Sequence, residues 1–127
     1  MIYGDVVFDL AIGGTILSTE ELFAHLADEF KPSKIILAGN ETGVFSDFPK
    51  NKQLVPLINH ENIRTVLPSV KSAAVVDVTG GMLSKLDVMW HLCEQESDLT
   101  VYLFSATKKN TLKKSLLGSQ FGTKMQY

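Results

Sequence analysis

The sequence predicts a layered α/β domain, α/β/α in section, with a largely parallel sheet and an N-terminal β-hairpin. Three observations predict it. Two short, continuously apolar runs, "KIILAG" (34–39) and "LTVYLFSA" (99–106), have the composition of buried strands. Each follows a stretch with helical apolar spacing, as in α/β units. A glycine pair, Gly80-Gly81, opens the second of those helices.

The elements follow in order. "YGDVVFDL" is rich in β-branched and aromatic residues and reads as a strand. "AIGGTIL" reads as a turn and returning strand, with Gly13-Gly14 as the turn signal. "STEELFAHLADEFKP" reads as a helix: Ser18 and Glu21 have capping-box spacing, and Leu22, Phe23, Leu26, Ala27 and Phe30 form one apolar stripe. Pro32 ends it. "KIILAG" is then expected to be a strand buried on both faces, and "NETGVFSDFPKN" a loop punctuated by Gly43 and Pro49. Pro56 makes "QLVPLI" a short edge strand, and "NHENIRTVLPSV" reads as a short helix and its exit. After the glycine pair, Met82, Leu83, Leu86, Met89, Trp90 and Cys93 recur on one helical face and predict a core-facing stripe. "KKNTLKKSLLG" reads as a short helix closed by Gly118, and "FGTKMQY" as a final strand.

All 127 residues are expected to form a single domain, and a hydrophobic fraction of 45% supplies a core. A net charge of -2 argues against nucleic acid and anionic membranes as partners. Lys108, Lys109, Lys113 and Lys114 form a local basic cluster, read as a solvated face. One cysteine, Cys93, excludes an intramolecular disulfide, and its place in the apolar stripe predicts a buried, reduced thiol. The N-terminal stretch lacks a signal-peptide pattern, and no apolar run reaches membrane-spanning length, so a cytoplasmic location is expected. His25, His60 and His91 lack metal-ligand spacing. Asp5 reads as a strand-end carboxylate, and Glu20-Glu21 as a helix N-terminus.

In open α/β sheets, ligands bind beyond the carboxyl ends of the strands, so the loops after Ala38 and Ser105 are expected to line a site. "DVTGGMLSKL" supplies a candidate for its chemistry. Glycine lets a ligand approach the main chain, and a helix starting near Gly81 or Met82 presents unpaired N–H groups and the positive end of its dipole. Together they suit a phosphate, and Lys85, one turn in, could reach it. Thr79 or Asp77 could cap this helix; Asp77 could instead orient Lys85 or hold a hydrated magnesium ion. The spacing matches neither the Walker loop nor the dinucleotide fingerprint, and an ordinary tight turn into a helix is the alternative.

The same stretch resembles the Thr-Gly-Gly-Met-x-x-Lys segment of the amino acid kinase family. Other segments resemble that family in the same order. They are "YGDVVFD" with "TILSTEEL", "KIILAGNETGVFSDFP" as a strand and nucleotide-base loop, and "VYLFSA" with "LLGSQFGTKM". Within the family the resemblance is to isopentenyl phosphate kinases, and it covers nearly the whole chain. It implies the C-terminal, ATP-binding half of such an enzyme. The family's acceptor-half signatures, Lys-x-Gly-Gly-Ser and a glycine-rich loop ending in histidine, have no counterpart here.

By this resemblance Thr79, Gly80, Gly81 and Met82 lie at the phosphates, with Asp77 beside them, and Lys85 is the catalytic cation. The loop from Gly39 through Asn40, Gly43, Val44 and Phe45 would wrap the adenosine. The sequence departs from the family at Asn40-Glu41-Thr42, where Asp-Val-Asp is usual, and at Ser105, where asparagine is common. Glu20 corresponds to the aspartate that organises the lysine, with a longer side chain. The implied substrates are ATP with Mg2+ and a phosphate-monoester acceptor such as isopentenyl phosphate; acylglutamate, carbamate or uridylate, or a non-catalytic association module, are the alternatives. No metal ligands are assigned to the protein itself. Half of such a fold implies little transfer on its own, and self-association or pairing with a separate N-terminal half.

Overall fold

The computed structural model describes residues 1–47, 50–74 and 81–127, with 71–74 as backbone alone. The chain opens with β1 (Asp5–Asp9) and β2 (Gly13–Leu17), an antiparallel hairpin in which Asp5 faces Leu17 and Asp9 faces Gly13. The turn is not at the glycines, as the sequence suggested, but at 10–12. Asp9 Oδ1 accepts from the N–H groups of Ala11 (2.8 Å) and Ile12 (2.9 Å), which closes the turn and holds the carboxyl below its ordinary pKa. Gly13 follows at φ +82°, a conformation that a side chain would strain, and so opens the return strand.

Helix α1 (Thr19–Phe30) starts at the expected cap: Glu21 N–H donates to Ser18 Oγ and Ser18 N–H to Glu21 Oε2. It ends at Lys31, in the left-handed conformation ahead of Pro32. Next comes β3 (Lys34–Gly39), on the predicted residues. It is not buried on both faces: Ile35 and Leu37 are buried, Ile36 is half-buried, and Lys34 and Ala38 are exposed. Only the face carrying Ile35 and Leu37 packs into the core, and the strand forms one edge of a four-stranded sheet ordered β3-β5-β6-β4.

The other edge is β4 (Leu57–Ile58), two residues long and just after Pro56. Helix α2 (Ile63–Ala74) runs on through Pro68 instead of ending there. Proline removes one helical N–H. Here Ile63, Val66 and Val70 are buried in the core, and their packing outweighs that loss.

Helix α3 (Gly81–Gln95) buries Leu86, Met89, Trp90, Leu92 and Cys93, with Met82 and Leu83 packed against the same core. The predicted stripe is therefore the core-facing one. Strand β5 (Thr100–Ser105) runs parallel to β3 at the centre of the sheet. A short α4 (Thr111–Leu116) and a turn then send β6 (Thr123–Gln126) back antiparallel to β5 and parallel to β4. The sheet is mixed, with two parallel pairs and one antiparallel. Val101 and Leu103 face the helices; Phe104, pointing the other way, is buried beside Phe121 at 6.2 Å.

Cys93 is fully buried, and burial pushes its thiol up to about 11. His25, His60 and His91 are exposed, as are Lys108, Lys109, Lys113 and Lys114. No helix among the described residues is long and apolar enough to cross a membrane.

Candidate functional site

The connections decide which ends meet. α1 leads through a short link into β3, and α3 through another into β5. Each helix therefore starts at the end of the sheet where its strand finishes. α1 and α3 pack side by side, and an ion pair ties them at each end. At their starts, Lys85 Nζ lies 3.0 Å from Glu20 Oε1. At their finishes, Lys31 pairs with Glu96. Glu20 and Lys31 are eleven residues apart, as are Lys85 and Glu96, so the helices run parallel and in register. The two pairs stand ~16 Å apart at 1.5 Å per residue.

The carboxyl ends of β3 and β5 adjoin this first pair. Gly39 is opposite Ser105, and Gly39 carbonyl accepts from Ala106 N–H at 2.8 Å. One end of the sheet thus gathers two helix N-termini, the loops after both parallel strands, and one cation held by one carboxylate. Side-chain exposures of 34% for Lys85 and 15% for Glu20 leave the ammonium reachable while its partner is largely covered. Residue pattern alone marks Glu20 as a helix-start carboxylate; only the family resemblance linked it to the lysine, and the structure pairs the two across sixty-five positions.

The predicted site residues fall into groups. Lys85 stands at this end, one turn into α3. Gly81 is exposed at the described start of α3, and Met82 packs its side chain against the core. Asp77, Thr79 and Gly80 lie outside the described residues. Gly39 and Asn40 are exposed, with open space where a Gly39 side chain would be. Gly43 and Val44 are buried. Val44 uses both backbone groups within the protein: its N–H donates to Thr123 Oγ1 (2.8 Å) and its carbonyl accepts from Val55 N–H (2.8 Å). Its part is therefore to anchor the loop rather than to face a ligand. Phe45 is half-buried and bridges to Leu54. Across the site, Ser105 Oγ lies 2.8 Å from Thr107 Oγ1, which shapes the loop after β5.

Among the described residues no three histidine, cysteine or carboxylate groups cluster as a metal site.

Comparison with known proteins fits this geometry. A profile of the amino acid kinase family matches residues 1–105. Over its full length the chain is 32% identical to an isopentenyl phosphate kinase of Methanocaldococcus jannaschii, covering 45% of that protein. Over 122 residues it is 27% identical to one from Methanothermobacter thermautotrophicus, covering 94% of this chain and 45% of the relative. An X-ray structure of isopentenyl phosphate kinase superimposes with a TM-score of 0.70 at 22% identity, over 98% of this chain and 44% of that one, and shows the shared fold. The chain thus spans less than half the length of these relatives. With 105 of 127 residues matched, it belongs to the amino acid kinase family.

Proposed function

We propose that this chain is the nucleotide-binding half of a kinase that moves the γ-phosphate of ATP, taken as its magnesium complex, onto a phosphate monoester such as isopentenyl phosphate. The observation that carries the proposal is the Glu20–Lys85 pair at the carboxyl end of the sheet, where α3 begins. Phosphoryl transfer needs positioning and charge stabilisation more than covalent chemistry. Lys85 supplies a positive charge to the transferring group. Glu20 aims it and keeps the long side chain from folding away. The start of α3, with Gly80 and Gly81, offers main-chain N–H groups to the phosphates, and the loop from Gly39 receives the adenosine. The names of the relatives favour isopentenyl phosphate as acceptor over acylglutamate, carbamate or uridylate.

Transfer also needs an acceptor held in line. Holding two reactants together contributes about 7–11 kcal/mol when geometry is ideal. The acceptor site belongs to polypeptide beyond these residues, so the 127-residue chain binds MgATP weakly and transfers little on its own. The hairpin supports a protein partner: Val6, Phe8, Leu10, Ile12 and Ile16 are all exposed, Phe8 by 99%. It is the surface by which the chain pairs with a separate N-terminal half or with itself. Sedimentation velocity checks this: the chain associates at micromolar concentration, and Phe8→Asp makes it monomeric. A chain that is already a clean monomer, and stays one when the relatives' N-terminal half is added, removes the partner.

Thermal unfolding with and without MgATP tests the donor site. Nucleotide at 100 times its dissociation constant adds about 2.7 kcal/mol, and Lys85→Ala removes that gain. A chain indifferent to millimolar MgATP is the non-catalytic association module instead. Rapid phosphorylation of isopentenyl phosphate by this chain alone would show that no second half is needed.

A further inference from the structure

The hydroxyl of Thr123, only 1% exposed, joins two segments far from it in sequence. It accepts the Val44 N–H at 2.8 Å and donates to the Val55 carbonyl at 2.7 Å. Val55 N–H returns to the Val44 carbonyl. These bonds close the neck of the excursion between β3 and β4. Inside it, Ser46 N–H bonds the Gln53 carbonyl, and Asp47 Oδ1 accepts from Lys52 N–H (3.0 Å) and Gln53 N–H (2.9 Å). The preceding residue presses on the same loop. A Cβ on Gly122 would lie 2.1 Å from the Leu103 carbonyl and 2.5 Å from the Thr42 carbonyl, and Gly122 has φ +66°. Gly43 meets Thr123 from the other side, where a Cβ would stand 2.8 Å from Oγ1. The absence of side chains at Gly43 and Gly122 thus lets residues 122–123 pack directly on 42–44, while Asn40, Glu41 and Thr42 remain exposed at the mouth.

We propose that Thr123 is a positioning residue for the nucleoside. Its hydroxyl fixes the loop after β3 in the shape that receives adenosine, and it has no part in holding the triphosphate. This rests on the donor-site reading above. The loop and the start of α3 hold different parts of one ligand, so the two can be separated by probes that carry only one part.

Thr123→Val keeps the volume but leaves a buried N–H without an acceptor; Thr123→Ser keeps the hydroxyl. Calorimetric titration of the 127-residue chain with MgATP and with magnesium tripolyphosphate reads both parts of the site. In Thr123→Val, which loses the bonds to both Val44 N–H and Val55 carbonyl, MgATP affinity falls about tenfold, the scale of one buried donor left unpaired, while tripolyphosphate binds as in the parent. Hydrogen exchange at the Val44 amide speeds up in the same variant without ligand, and exchange in α3 does not. Thr123→Ser restores both readings. Equal MgATP affinity in parent and Thr123→Val overturns the inference and leaves the donor site standing. Equal loss of both ligands also overturns it, because the effect is then on the whole fold. A parent chain that binds neither ligand overturns the donor site and this inference with it. Should the valine variant fail to fold, the serine variant decides: loss of Val44 protection or of MgATP affinity in a folded Thr123→Ser chain refutes the role.

Discussion

Helices α1 and α3 are joined at each end by a lysine–glutamate ion pair, and the two pairs stand in different surroundings. Lys31–Glu96 lies at the end where the parallel strands begin, with the lysine side chain 55% exposed. Glu96 raises the pKa of Lys31, but the pair faces solvent and borders no loop of the site. Glu20–Lys85 lies at the end where those strands finish, beside the loops after Gly39 and Ser105. A salt bridge is thus a clamp at one end and a candidate catalytic group at the other, and topology makes the distinction. Sheet strands and helix dipoles point their ligand-seeking ends the same way only at the second.

Four substitutions test how separate the two ends are. The largest effect on stability belongs between them. Leu86→Ala, in the buried stripe next to Lys85, costs about 2–5 kcal/mol in chemical denaturation and leaves MgATP affinity of the folded fraction nearly intact. Lys85→Ala does the reverse, removing the nucleotide-induced gain of about 2.7 kcal/mol while the ligand-free chain unfolds almost as before. If both variants lose stability and binding together, the ends are one unit and the comparison fails.

A smaller effect comes from Cys93, one turn before Glu96. Its folded pKa is raised, so the stability it contributes is complete below the unfolded value near 9.0 and is lost as pH rises through about 11. Stability therefore falls between about pH 9 and 11, and Cys93→Ala flattens that decline against its own lower baseline. The smallest effect is Lys31→Ala: a slight fall in melting temperature, and no change in MgATP affinity by titration calorimetry. A loss of affinity there equal to that of Lys85→Ala would erase the difference between the ends.

Much of the fold was legible where local chemistry decides it. Ser18 and Glu21 satisfy each other's backbone groups within one turn, so their spacing alone located the start of α1. The bounds of β3 and the buried face of α3 followed from composition and period. Of the candidate site, Lys85 was singled out through its place after the glycine pair, and the loop from Gly39 through its position after an apolar strand; the structure sets both at the same end of the sheet. Val44 was not readable as an anchor, because its partner Thr123 is seventy-nine residues away. Glycine signals misplaced the hairpin turn, where the Asp9 carboxylate supplies the closing bonds instead.

Local pattern in the sequence located α1, α3, the apolar strands and the lysine one turn after the glycine pair, since each depends on contacts within a few residues. Folded packing was needed to show that α2 passes through Pro68, that β6 runs against β5, and that Thr123 holds Val44. Each of these balances a local penalty or a lone polar group against a partner far along the chain, and only the folded packing brings that partner within bonding distance.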